Sequence, residues 1–245
     1  MGKAGRTGDG VPGSARGNAL SGLAVALGCV LFLGGFVWGA IAYQPYTVPT
    51  ESMHPTVKAG DRVLAERIDG GDVRRGDVVV FEDSLWGDLP MMKRVIGVGG
   101  DKVVCCDKAG RLSVNGRPVA EPYLRGGGPA SSTGFDETVP DDGLFLLGDY
   151  RQGSQDSRVR LQGDDWAVPR SAVNARVDAT AWPVGSLGAV DRPDAFADLP
   201  GGVSDPGPLL LLLVAIVAGA ALIMGGAAYG PIVRRRARAA RARLG

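Results

Sequence analysis

The chain has 245 residues, with 27 basic and 26 acidic side chains, one histidine and three cysteines. That length allows one domain of ordinary size with additions. The even charge balance hides a segregation: Lys3, Arg6 and Arg16 face a single Asp9 at one end, the last residues VRRRARAARARLG hold six arginines and no acid, and the middle, from Tyr43 to Val233, carries a net −7. A nucleic-acid binder concentrates positive charge on its folded domain, so nucleic acid is not an expected partner. A lone histidine and no C-x-x-C spacing argue against a metal or redox centre, and no cofactor is expected.

In chain order, a basic tail (1–19) precedes an uncharged apolar run, LSGLAVALGCVLFLGGFVWGAIA, and a second such run begins at Leu209 as LLLLLVAIVAGAALIMGGAAY. About 20 apolar residues cross a bilayer, so 20–43 and 209–233 read as transmembrane helices. Basic flanks stay on the cytoplasmic side. Both termini, including the arginine-rich tail 234–245, are therefore expected in the cytoplasm, with residues between the spans outside a plasma membrane. Ala40-Ile41-Ala42 also fits a signal-peptide cleavage site, but the run exceeds the usual 7 to 15 residues of such a segment, which favours an uncleaved anchor. The steps Gly35–Gly39 and Gly226–Gly230 are G-x-x-x-G spacings near opposite membrane faces; they imply no dimer, and a monomer is expected.

Between the spans the pattern is mainly β. DRVLAERI, GDVVVFE, MKRVIGVGGDKVVCC, RLSVNGRPV, GLFLLGD and ARVDATAWP are short β-branched runs separated by Gly, Asp and Pro. Asn115-Gly116 is a hairpin signal. No helical periodicity of useful length appears. Residues 44–190 are read as an extracytoplasmic β-rich domain, 126–138 as a loop, and 191–208, DRPDAFADLPGGVSDPGP, as a flexible linker to the second span. Strand alternation would point Cys105 and Cys106 to opposite faces, so free buried thiols are expected.

The stretch VPTESMHPT (48–56) holds Ser52 and the histidine, His54, between two prolines. As a turn it needs no function; as a nucleophile, Ser52 needs a base. His54 would have to curl back against a backbone restricted by Pro55, which leaves it a loop residue or part of a substrate path. A neutral lysine is the alternative base. Lys58, Lys102 and Lys108 sit among turn residues. Lys93, in PMMKRVIGV, shares one strand face with Met91 and Val95, and burial there would lower its pKa. An edge-strand lysine that discourages aggregation fits the same pattern. Ser52 lies ten residues beyond Ala42, within about 33 Å of the membrane face.

Four segments in order now resemble the type I bacterial signal peptidases, the Ser/Lys leader peptidases: SMHPT at 52–56, GDVVVF at 76–81, KRVIGVGGD at 93–101 and GDYRQGSQDSR at 148–158. Two flanking spans with an arginine-rich tail resemble an actinobacterial member. The resemblance implies an all-β catalytic module flanked by two transmembrane helices, and a serine endopeptidase that removes signal peptides from exported preproteins at small-x-small sites. It implies Ser52 as nucleophile, Lys93 as general base, the Ser52 N–H and the Thr50 hydroxyl as oxyanion hole, Ser154 as orienter of Lys93, and Asp149, Asp156 and Arg158 as ionic supports. Its partners are preproteins and membrane lipid. Thr50, Tyr150 and Gly99 depart from the usual residues of these segments. They leave open the alternative of an inactive, membrane-anchored β-domain that binds protein partners.

Overall fold

The computed structural model describes residues 12–242 except Gly127 and Asp164, and no side chains of 12–16, Asp88 or 230–242. Most of the basic N-terminal tail and the arginine side chains from Arg234 onward lie outside the described part. The chain forms two compact units, one of residues 42–207 and one of the segments on either side.

The flanking unit is a pair of helices, α1 (Pro12–Ala42) and α2 (Leu209–Ala242). Their stretches Gly17–Ala42 and Leu209–Tyr229 are long and apolar enough to cross a membrane. Large side chains such as Val30, Ile41, Leu210 and Val217 point outward. The helices approach through glycine. A Cβ on Gly28 would lie 2.8 Å from the Gly219 carbonyl oxygen, and one on Gly35 or Gly226 would lie 2.8 Å from Ile216 or Val25 of the other helix. Ser21 donates to the Gly226 carbonyl at 2.6 Å. The small residues therefore serve contact between the two helices of one chain, as close backbone approach requires.

Among the described residues, the β unit contains twelve strands: β1 (Tyr43–Thr47), β2 (Arg62–Arg67), β3 (Val78–Asp83), β4 (Gly87–Val98), β5 (Lys102–Cys105), β6 (Leu112–Val114), β7 (Arg117–Pro118), β8 (Phe135–Thr138), β9 (Gly143–Leu147), β10 (Val168–Pro169), β11 (Val173–Trp182) and β12 (Gly188–Ala189). The larger sheet runs β1-β2-β11-β3-β4-β9-β10, with β12 on β11; the smaller runs β7-β6-β5-β8. Alternation sorts the larger sheet's side chains. Val78 and Val80 pack with Val63, Ala65 and Val177, while Val79 and Phe81 pack with Val95, Leu144 and Leu146. Every residue of β9 is buried, which is why GLFLL reads as continuous apolar sequence. Asn115 (φ 52°) and Gly116 (φ 77°) form the β6–β7 turn, the paired positive φ values of a two-residue hairpin.

Four features differ from expectation. β1, with Pro45 at its centre, is a strand; it lies at the sheet edge, where a missing N–H is tolerated. Residues 135–138 of the expected loop pair with β5. Part of the expected linker packs on the β unit: Phe196 and Leu199 enter the core beside Ile96 and Phe145, and Ser204 donates to Asp77 at 2.7 Å. Its two large apolar residues are what bury it. Finally, Cys105 and Cys106 are joined by a disulfide rather than free. β5 ends at Cys105, so strand alternation does not extend to Cys106.

Gly99 sits where a Cβ would overlap the Asp141 backbone carbonyl, whereas a Cβ on Gly71 meets nothing within 4 Å. Gly99→Ala is expected to lower the unfolding free energy of the detergent-solubilised chain by about 2 kcal/mol, with Gly71→Ala within about 0.5 kcal/mol of the parent. Urea unfolding followed by circular dichroism checks both.

Candidate active site

Ser52 lies in a 3₁₀ turn, Glu51–Met53, entered from extended Thr50 (φ −134°, ψ 161°). The surrounding loop is stapled from several sides. Val48 N–H donates to the Asp61 carbonyl at 2.9 Å and Gly60 N–H to that of Val48 at 2.8 Å, which closes its base. Met53 and Val57 are fully buried. Tyr150 N–H donates to the Ser52 carbonyl at 3.0 Å, tying the serine to the 148–158 segment.

Lys93 comes from β4, opposite Val79 of β3. Only 3% of it is exposed. Its Nζ donates to Ser52 Oγ at 3.0 Å and to the Met92 carbonyl at 3.0 Å. Burial lowers its pKa from an ordinary 10.5 to about 8, against the opposing pull of Asp156 and Asp149. Desolvation wins because it disfavours the charged form of an ammonium strongly, and both carboxylates are already engaged by arginines. The Thr50 hydroxyl donates to Ser52 Oγ at 3.2 Å.

Ser154 differs from expectation: its hydroxyl is buried with no hydrogen-bond partner, and Lys93 is not bonded to it. A Cβ on Gly148 would overlap Ser154 Oγ and the Ser52 carbonyl. Only glycine fits there, and this close approach brings the Ser154 hydroxyl beside the Ser52 main chain. Asp149 receives a two-pronged bond from Arg94, Nε at 2.9 Å and Nη2 at 2.7 Å, in a pair about 1% exposed on each side. Asp156 accepts Gly148 N–H at 3.0 Å and both Nε and Nη2 of Arg158 at 2.8 Å. Tyr150 keeps the backbone bond to Ser52, while its ring lies 4.5 Å from the Arg125 guanidinium. Its departure from the pattern is thus accommodated by stacking.

Residues not singled out from the sequence complete the support. Arg94, fully buried, also donates to the Gly76 carbonyl at 2.8 Å and lies 4.1 Å over the Tyr123 ring. Thr56 donates to Asp149. Arg151 pairs with Glu121 in a buried bridge. Tyr123 donates to Glu121 at 2.7 Å, and burial pushes its phenol well above the ordinary 10.0. Two adjacent cations within the apolar run MMKRVIGV were the available signal.

His54 is half-buried, and its Nδ1 is buried without a hydrogen-bond partner. Among the described residues, no group of three or more His, Cys, Asp or Glu is placed to hold a metal ion. A groove of about 340 Å³ opens between the Tyr46–Thr50 segment and Leu89–Met92 of β4, with Ser52 and Lys93 in its walls. β9 pairs with β4 only from Arg94 to Val98.

A buried serine–lysine contact at the end of an open groove in an antiparallel sheet is an arrangement suited to peptide hydrolysis. The family described as signal peptidase, peptidase S26, matches residues 20–182, and the chain belongs to it. A signal peptidase I of Leptolyngbya laminosa is 34% identical over 182 residues, covering 70% of this chain and 83% of that protein. Signal peptidase I S of Bacillus subtilis (strain 168) is 34% identical over 150 residues, 57% of this chain and 76% of its own. Signal peptidase I of Mycobacterium tuberculosis (strain H37Rv) is 31% identical over 199 residues, 60% and 67% of the two chains.

Two stability predictions follow from the burial of these charges. Removing one member of the Arg94–Asp149 pair, as in Asp149→Leu, is expected to cost about 3–5 kcal/mol, and Arg94→Met combined with Asp149→Leu to recover much of that loss. Lys93→Met, by contrast, is expected to stabilise the fold by about 1–3 kcal/mol at pH 7. Below the folded pKa of about 8 both states are protonated and the desolvation cost is present in full. Between there and 10.5 the unfolded chain holds a proton that the folded chain lacks, so wild-type stability rises with pH and the advantage of Lys93→Met shrinks. Urea midpoints at pH 7 and pH 10 test both claims.

Proposed function

We propose that this signal peptidase is a membrane-anchored serine endopeptidase that works through a Ser52/Lys93 dyad. It removes signal peptides from exported preproteins at small-x-small sites. The observation that carries the reading is the 3.0 Å contact between Lys93 Nζ and Ser52 Oγ, made by a lysine buried enough to lose its proton near pH 8. Both apolar helices act as anchors in the plasma membrane. The short basic flanks keep both termini in the cytoplasm, leaving the β unit outside in contact with lipid. The enzyme acts as a monomer.

The substrate lies extended in the groove, along the edge of Leu89–Met92 that β9 leaves free. Neutral Lys93 accepts the Ser52 proton as Oγ attacks the scissile carbonyl carbon. The developing oxyanion is held by the Ser52 N–H, which has no acceptor inside its own short turn, and by the Thr50 hydroxyl, turned from Oγ toward the new charge. Protonated Lys93 then gives its proton to the leaving amine, and the C–N bond breaks. In the second half Lys93 takes a proton from water, which attacks the acyl-enzyme. Ser52 leaves with that proton. Ser154, whose hydroxyl is buried and unpartnered, holds the amine in place once Ser52 Oγ is bonded to substrate. Asp149, Asp156 and Arg158 keep the segments in register and take no part in the chemistry.

The test is turnover of a preprotein by detergent-solubilised enzyme, with the new N-terminus mapped. kcat/KM is expected to rise with pH on a single limb near the Lys93 pKa of about 8 and to level off above it. Ser52→Ala, Lys93→Ala and Lys93→Arg should be inactive, the last because guanidinium stays protonated. Ser154→Ala should lose about a hundredfold in kcat. His54→Ala should keep the limb. Substantial activity in Lys93→Arg, or loss of the limb in His54→Ala, would mean that another group is the base.

A further inference from the structure

The wall of the groove made by Leu89, Pro90, Met91 and Met92 is the return strand of a hairpin, and the hairpin's tip has little of its own to hold it. Past the Phe81–Met91 pair the β3–β4 register shifts, and the next pair is Asp83–Gly87. Gly87 has φ 114°, and Leu85 and Leu89 are exposed. Inside the tip, Trp86 N–H donates to the Asp83 carbonyl at 2.9 Å. The indole Nε1 is buried with no acceptor, so packing rather than a hydrogen bond places the ring. One contact is Phe81, edge to face at 6.1 Å. Another is Arg160, whose guanidinium carbon lies 4.7 Å over the indole.

Arg160 does three things at once. It covers Trp86, donates to the Leu85 carbonyl of the tip and pairs with Asp165. It stands at the end of the Ser157–Arg160 turn, whose cap is Asp156, the carboxylate that also accepts Gly148 N–H beside Ser52. The hairpin tip is thereby tied to the segment that supports the serine.

We propose that Arg160 is a positioning residue that holds the substrate-binding wall in place through Trp86 and the Phe81–Met91 pair. This rests on the reading of the groove as the substrate site. A strand that receives a peptide alongside it must be ordered beforehand, or its ordering is charged to the binding step. Leu89–Met92 has a neighbouring strand on one side only. Lys93 immediately precedes the stretch that β9 also flanks, and its neighbour Arg94 is locked to Asp149, so the chemistry is fixed independently of the tip. Loss of the latch therefore weakens binding and leaves the chemical step.

The experiment compares Ser52→Ala with Ser52→Ala/Arg160→Ala in binding a peptide that spans a signal-peptide cleavage site. Kd is expected to rise about tenfold, the size of a partly desolvated cation–aromatic contact. On the Ser52 background, KM for that peptide rises while kcat stays within about twofold. Amide exchange of residues 83–92 accelerates while that of 143–158 does not. Trp86→Phe, which keeps a ring face, stays near wild type; Trp86→Leu matches Arg160→Ala, and the double variant adds nothing, because the two act as one unit. Unchanged Kd and exchange in Arg160→Ala, or a fall in kcat at constant KM, would overturn the proposal. Cleavage by Ser52→Ala would instead overturn the dyad, with the exchange result still bearing on the latch.

Discussion

The buried pair of Arg94 and Asp149 holds the site together. Arg94 follows Lys93 on β4, and Asp149 opens the segment that reaches Ser52 through Tyr150. Two parallel N–H bonds at 2.9 and 2.7 Å fix the guanidinium and the carboxylate in one plane. The remaining capacity goes to Thr56, in the loop after Ser52, and to the Gly76 carbonyl. One ion pair thus joins four stretches far apart in sequence. A buried pair of this kind is not a cheap source of stability, since desolvation offsets most of the attraction. What it contributes is geometry: the fork geometry rejects small displacements that an apolar contact would tolerate. It also governs charge. Asp149 and Asp156 both favour protonated Lys93. Each is paired with an arginine, which leaves burial as the largest influence on the lysine.

The sequence carried the strands better than their edges. GDVVVFE and GLFLLGD are buried on both faces and read as continuous apolar runs, while Asn115-Gly116 announces its turn. β1 was hidden because YQPYT has a proline at its centre and a mixed pattern; its strand character comes from five pairings to β2. β8 was hidden inside a glycine-rich segment for the same reason, since it exists through its pairing with β5. The 191–208 stretch has the composition of a linker, and only two apolar residues, Phe196 and Leu199, decide otherwise.

The candidate site was legible where chemistry demands particular residues close together, as in SMHPT. It was less so where a partner is distant. Arg94 looks like a surface residue until Asp149, 55 positions away, is folded against it. The resemblance implies Ser154 as the residue that orients Lys93, yet in the structure its hydroxyl bonds to nothing. A local pattern can place a residue beside a reaction without revealing which of several nearby atoms it meets at a given stage.

A serine–histidine pair takes its base strength from a ring that is neutral at working pH without help. In the proposed dyad the base strength has to be made by the fold. On that proposal Lys93 is a base because the sheet removes water from it, and the same removal costs stability whenever the lysine is charged. The groove with Ser52 and Lys93 in its walls also gives water a path toward the lysine. Filling that groove with an extended peptide would exclude that water and lower the lysine pKa further, so on this reading substrate and enzyme build the base together. That places a demand on the groove walls as well as on the dyad. A wall held in place before the peptide arrives keeps water out as soon as binding occurs, whereas a loose one has to be ordered by the peptide first, at a cost to binding rather than to the bound base. Of the arginine links between the serine's supporting segment and the β3–β4 hairpin, Arg94–Asp149 therefore bears on the position of the proposed base, and Arg160 on the wall that the peptide would meet.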